Sequence, residues 1–182
     1  MRTVYGQTAG NPFFVGEVAR WLKLGTAGEE TPLVIPESVR EVIGRRLDRL
    51  TPECRELLAI AATIGATFDV GCLQRTAPAP LADVMARLDE ATAAGIVEAA
   101  DGGARWAFCH SLIRRVLYDR LTPLRRIELH QRVGEVLEAL YGSARDDHLA
   151  ELAHHFFEAA LGGPAEKAVD YATRAAAHAL GR

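Results

Sequence analysis

The sequence predicts a mainly α-helical protein with one β-hairpin near its middle. Its 182 residues include 31 Ala and 19 Arg but only 2 Lys, and Ala, Leu, Arg and Glu all favour helices. The β-branched and aromatic residues that favour strands are sparse. Apolar residues recur at helical spacing over most of the chain. The excess of Arg over Lys also fits a GC-rich bacterial genome.

Turn and cap residues mark where the predicted helices begin and end. Pro is tolerated at the first position of a helix because its missing N–H would be unpaired there. A Ser, Thr or Asp just before that position caps the free backbone N–H groups. These signals predict a helix from Pro12 to about Gly25 and a linker to Pro36. They also predict helices over residues 37–50, 52–64, 70–73, 80–95, 111–121 and 123–140.

A hairpin is expected between two of these helices. The apolar run Ile96-Val97-Glu98 precedes the turn Asp101-Gly102-Gly103, and an aromatic run from Arg105 to Phe108 follows it. This pattern is typical of a β-hairpin. From residue 51 to residue 108 the predicted order is therefore helix, short helix, helix and hairpin. That order is typical of a winged helix, a variant of the helix-turn-helix.

The last forty residues predict an antiparallel pair of helices. Asp146 or Asp147 is expected to cap the first helix, and Gly162-Gly163-Pro164 to form the turn. Small residues recur on the second helix and would let it approach a neighbour closely, as in tetratricopeptide-like (TPR-like) repeat arrays. A single pair does not establish a repeat period.

Composition excludes several classes of protein. The formal net charge is −3, which excludes a strongly basic nucleic-acid module and an acidic disordered tail. There is no apolar run of about 20 residues and no secretory signal pattern, so we expect a soluble, cytoplasmic chain. Three distant cysteines do not suggest a disulfide framework. His154 and His155 would point about 100° apart on a helix, so no metal site is expected.

Motifs for enzymatic chemistry are absent from the sequence. There is no P-loop, no apolar run ending in paired acids, no Gly-x-Ser-x-Gly and no zinc-protease helix. We therefore expect the chain not to be an enzyme. A DNA-reading role is disfavoured because the third helix of the winged helix, Pro80 to Ala94, carries a net charge of about −2, whereas DNA phosphates require cations.

Two short stretches are candidates for a functional role, and each can also be explained by structure alone. Gly10-Asn11-Pro12 can simply end one segment and begin a helix whose aromatics enter a core. His110 can be a junction residue that bonds to backbone where a strand meets a helix. The residues alone leave both interpretations open.

Three stretches in one order resemble a known family. They read TAGNPFFVGEVARWL, IPESVREVIGRRLDRL and FCHSLIRRVLYDRLTPLRRIELHQRVGEVLEAL. Together they are similar to the large ATP-binding LuxR-type transcriptional regulators, which belong to the STAND class of signalling ATPases and are related to NB-ARC proteins. The resemblance covers nearly the whole chain and is more specific than either short motif.

The resemblance implies a place for this chain within a longer protein. In the family a P-loop domain precedes a helical lid, a winged helix, helical repeats and a terminal DNA-binding helix-turn-helix. Residues 1–36 would then be the end of the lid with its linker, residues 37–121 the winged helix, and residues 122–182 the start of the repeats. We therefore expect an internal fragment without the P-loop domain.

The resemblance also implies nucleotide-facing residues. Gly10-Asn11-Pro12 matches the family's Gly-x-Pro motif, whose proline packs on the adenine. His110 matches the winged-helix histidine, which in NB-ARC relatives contacts the β-phosphate of ADP and locks the closed state. The Met of their Met-His-Asp pattern is absent, and Ser111 stands in place of its Asp. ATP or ADP would bind the intact parent protein, and we expect no tight binding to this chain alone.

The implied function is that of a regulatory segment, in which the winged helix senses nucleotide and relays its state to the repeats. The alternative is a helical protein-interaction module without a nucleotide role, and a free-standing DNA binder is a third interpretation. The implied partners are the missing P-loop domain and a protein or second copy bound through helices. Phe13, Phe14 and Trp21 would favour self-association if no lid covers them.

Overall fold

A computed structural model describes residues 37–163 and 165–180. The helix and linker expected over residues 12–36 lie outside these described residues. The described part is mainly helical with a small three-stranded antiparallel sheet, as the composition predicts. The helices are α1 (Glu37–Leu47), α2 (Pro52–Ile64), α3 (Val70–Thr76), α4 (Leu81–Ala93), α5 (Ser111–Asp119), α6 (Pro123–Tyr141), α7 (Leu149–Ala160) and α8 (Glu166–Leu180). The strands are β1 (Thr67–Asp69), β2 (Val97–Ala100) and β3 (Arg105–Phe108).

Three of the predicted helix caps are confirmed. The Thr51 hydroxyl accepts a hydrogen bond from the backbone N–H of Cys54 at 3.2 Å. Asp69 accepts from the first N–H groups of α3, and Thr122 accepts from the N–H of Arg125 at 3.2 Å. Each cap satisfies backbone donors that the helix itself leaves free. Local sequence therefore sets these three helix starts.

The predicted hairpin is confirmed, and a third strand joins it. β2 and β3 pair in antiparallel fashion with Val97 opposite Phe108. The turn between them is a short 3₁₀ segment in which Gly102 and Gly103 have positive φ angles of 73° and 94°, a backbone conformation that glycine adopts without steric cost. β1 pairs with the other edge of β3 and places Thr67 opposite Ala107. The sheet order is β1-β3-β2.

Two clusters of buried apolar side chains hold the described part together. The larger cluster lies among the residues from α1 to α5 and the sheet, and includes Ile43, Leu58 and Trp106. The second lies mainly among α6, α7 and α8, with Leu152 and Phe156 at its centre. α6 contributes Leu129 to the first cluster and Val133 to the second. The apolar stripe of α6 therefore joins both clusters.

The expected cap at Asp146 or Asp147 is wrong. Residues Gly142–His148 form a 3₁₀ segment, and α7 begins at Leu149 without a side-chain cap. Asp146 instead accepts a hydrogen bond from the Arg174 guanidinium of α8 at 2.6 Å. The carboxylate that was expected to cap α7 therefore forms an ion pair between the 3₁₀ segment and α8. Among the described residues, no helix combines the length and apolar character needed to cross a membrane.

Candidate functional site

The sequence-predicted site residues fall into two groups. Gly10, Asn11 and Pro12 lie outside the described residues, so their proximity to His110 stays a prediction. His110 is described and lies at the junction of β3 and α5. The candidate site is therefore built from His110 outward.

Backbone hydrogen bonds fix His110 on both sides. The N–H of Cys109 donates to the Ile96 carbonyl at 3.0 Å, which extends the pairing beside the hairpin. The His110 carbonyl accepts from the N–H of Ile113 at 3.1 Å in the first turn of α5. His110 itself has extended backbone angles and occupies the N-cap position of α5, where its side chain does not make the capping hydrogen bond. Its side chain is buried, with 8% of the residue exposed.

The surroundings of His110 favour a neutral imidazole. Burial lowers the pKa of His110, the nearby positive charge of Arg46 lowers it further, and Glu98 opposes both effects. A neutral imidazole carries one N–H donor and one acceptor nitrogen at neutral pH.

Arg46 of α1 is the residue that sequence reasoning missed at this site. Its Nη2 atom lies 3.2 Å from where a Cβ atom on Gly95 would be, so it reaches the turn between α4 and β2. Gly95 has a positive φ of 65°, which also favours glycine there. No local signal distinguishes Arg46 from Arg40 and Arg45 of the same helix, because its approach to Gly95 depends on how α1 packs.

Arg46 brings a positive charge near His110, and Glu98 brings an opposing negative charge. An imidazole N–H and a guanidinium are both donors that suit an oxyanion such as a phosphate. Burial raises the thiol pKa of both Cys54 and Cys72 to about 12, so these two cysteines carry almost no thiolate near neutral pH. Within the described residues, no group of three His, Cys, Asp or Glu side chains could hold a metal ion.

A second polar cluster, also missed from the sequence, lies between α5, α6 and α7. His130 and His155 are each 1% exposed, and their Nδ1 atoms are 3.0 Å apart. The Nε2 atom of His130 lies 2.8 Å from the Tyr118 hydroxyl. These three residues come from three helices, so only the tertiary fold brings them together.

Comparison with protein-family models, with curated proteins and with solved structures gives no match to this chain.

Proposed function

We propose that this chain is the regulatory segment of an ATP-dependent LuxR-type transcriptional regulator. Its winged helix would close over a nucleotide that a P-loop domain holds, and would relay the state of that nucleotide to TPR-like helices. ATP or ADP would be the cofactor of the larger protein.

The arrangement of helices and strands supports the winged-helix assignment. Two helices, a short helix and a further helix precede the hairpin β2–β3, and β1 completes a three-stranded sheet. This is the order expected of a winged helix. α7 and α8 pack side by side, and Phe156 stacks on Tyr171 with ring centroids 5.4 Å apart, an arrangement compatible with one TPR-like pair.

The observation that carries the nucleotide role is the position of the buried His110 at the junction of β3 and α5, with the positive charge of Arg46 nearby. Two backbone hydrogen bonds hold the chain at His110, at the start of α5. The N-terminus of α5 adds a partial positive charge, which favours a phosphate nearby. Most of the phosphate-binding energy would come from the P-loop domain.

The experiment replaces His110 in a protein that joins this chain to its upstream P-loop domain. We expect His110→Ala to weaken ADP binding at least several-fold and to raise basal activity. His178→Ala is the matched control, because His178 is an exposed histidine of α8 that does not line any part of this site. Unchanged ADP affinity and basal activity in His110→Ala would exclude the nucleotide-sensing role.

The 182-residue chain alone is expected to bind nucleotide poorly. Calorimetric titration with ADP and with ATP measures this directly. A dissociation constant near about 1 μM, equivalent to about 8 kcal/mol, would contradict the assignment of phosphate binding to another domain.

A protein-interaction module is the second candidate function. Large apolar side chains are exposed on the last helices: Phe157 is 63%, Leu161 74% and Val169 63% exposed. Such side chains favour protein contacts when they are contiguous. This candidate predicts that His110→Ala leaves nucleotide affinity unchanged, whereas Phe157→Ser weakens partner binding.

We expect no DNA binding by this segment. Glu90 of α4 accepts hydrogen bonds from the backbone N–H of Thr51 at 2.6 Å and from its hydroxyl at 2.7 Å. The helix that would contact DNA in a DNA-binding winged helix therefore carries an acidic residue, and this residue also holds Thr51 in place. Salt-dependent retardation of duplex DNA by the chain would contradict this expectation.

A further inference from the structure

A cavity of about 360 Å³ lies among α5, α6 and α7, apart from His110. Its volume is in the range of pockets that hold small organic ligands. Arginines are prominent in its lining. The side chains used below are Arg114, Arg115, Tyr118, Asp119, Arg126 and Glu158.

Two of these arginines have no acidic partner. Arg114 donates from Nε to the Ala62 carbonyl at 2.9 Å, and burial lowers its pKa. Arg126 donates from Nη2 to the Asp119 carbonyl at 3.2 Å, and its guanidinium lies 4.7 Å from the centre of the Tyr118 ring. Among the described residues, neither guanidinium has a carboxylate within salt-bridge distance. Both positive charges are therefore held only by neutral groups.

Arg126 also has an unsatisfied donor. Its Nε atom is buried and has no hydrogen-bond partner in the described part of the chain. A buried donor without a partner costs free energy unless a ligand satisfies it. Arg126 therefore has unused capacity to bind an anion.

The carboxylates on the cavity wall do not cancel the positive charges of Arg114 and Arg126. Asp119 accepts from the Nε atom of Arg115 at 3.0 and 3.2 Å and from the Nη2 atom of Arg40 at 3.3 Å. Two guanidiniums thus already neutralise the charge of Asp119. Only Glu158 remains to oppose Arg114 and Arg126, so the cavity keeps a positive excess.

We infer that this cavity binds the phosphate group of a small phosphorylated molecule or free phosphate. Guanidinium groups recognise phosphate oxygens through paired N–H donors. The volume leaves room beside the phosphate for an organic group. This site does not depend on the nucleotide role of His110, because His110 does not line it.

The test is calorimetric titration of the intact 182-residue chain with inorganic phosphate and with glucose 6-phosphate, at matched ionic strength set with sodium chloride. We expect Arg126→Gln to weaken phosphate binding at least about tenfold. Arg126→Lys should retain part of the affinity, because it keeps the charge but loses the fork of donors.

Arg132→Gln is the matched control. Arg132 is an exposed arginine on the same helix, α6, and does not line the cavity. Arg114→Gln is a second variant in case Arg126→Gln does not fold, and circular dichroism checks the helicity of each. Both cavity variants should lose affinity while Arg132→Gln and His110→Ala keep it.

Each outcome of the titrations either supports the inference or overturns it. Tighter binding of glucose 6-phosphate than of phosphate identifies a phosphorylated metabolite as the ligand class, and equal or weaker binding identifies free phosphate. Absence of binding of either probe up to about 10 mM would overturn the inference. An equal loss in Arg132→Gln would show only general charge attraction and would also overturn it. A loss in His110→Ala as large as that in Arg126→Gln would place the phosphate elsewhere.

Discussion

The buried histidine pair makes the stability of this protein depend on pH. The contact between the Nδ1 atoms of His130 and His155, at 3.0 Å, requires one nitrogen to carry a proton and the other to accept it. Protonation of both rings would place two N–H groups face to face inside the protein. The contact therefore requires that at least one of the two imidazoles be neutral.

Burial is the main reason that these imidazoles resist protonation. Burial, followed by the charges of His154 and Arg114, lowers the pKa of His130 from 6.5 to about 4 and that of His155 from 6.5 to about 3. In the unfolded chain both rings return to ordinary histidine behaviour.

The sign and the size of the effect follow from linkage. A histidine whose pKa is lowered on folding contributes stability that is fully present above about pH 6.5 and is lost as the pH falls toward the folded value. Between about pH 7.5 and pH 5, each histidine is expected to remove about 2 kcal/mol from the free energy of unfolding. The pair together would remove about 4 kcal/mol.

Urea unfolding at the two pH values, followed by far-ultraviolet circular dichroism, measures this loss. The variant His155→Gln keeps a polar side chain that does not titrate, so its loss should be smaller by about 2 kcal/mol. The double variant His130→Gln/His155→Gln should lose almost no free energy of unfolding through this site between the two pH values. His178→Gln, at an exposed position of α8, is the control and should match the unmodified chain. If all four proteins lose the same free energy, the buried pair is not the cause.

Three further predictions concern packing, capping and thiol chemistry. Gly134→Ala should destabilise the protein by about 1 kcal/mol, despite the helix propensity of Ala, because its Cβ would meet the buried ring of Phe156 at 3.1 Å. Thr51→Ala should lower the free energy of unfolding by about 1 kcal/mol through loss of the α2 cap. Both are measured by urea unfolding. In the folded protein, Cys109 should react first with a disulfide reagent, because it is half-buried whereas the other two cysteines are fully buried with pKa values of about 12.

Matched variants separate these causes from general effects of substitution. Gly163→Ala adds a Cβ with no atom within 4 Å and should leave stability nearly unchanged. Thr173→Ala removes a hydroxyl that bonds only within its own helix, so it should not reproduce the effect of Thr51→Ala. Cys109→Ser should abolish the fast thiol reaction, and persistence of that reaction would assign it to another cysteine.

Several features of the fold could be predicted because they depend on residues that are close together in the sequence. The caps at Thr51, Asp69 and Thr122 act on backbone groups only two or three residues away, so the sequence predicts them without knowledge of the rest of the molecule. The glycines at 102 and 103 likewise define the hairpin turn through their own φ angles. The short strand β1 could not be predicted in this way. Three residues carry too little pattern, and β1 forms because the free edge of β3 offers it hydrogen bonds.

The sequence by itself determined the mainly helical class, the capped helix starts, the hairpin and the position of His110 at its end. These features depend on interactions between near neighbours along the chain. Only the tertiary structure brought the charge of Arg46 near His110 and paired His130 with His155, because the residues of each pair lie far apart along the chain. The electrostatics of both sites depend on burial and on distances that helix packing sets. A sequence pattern contains neither the burial of a side chain nor its distance from a charge on another element.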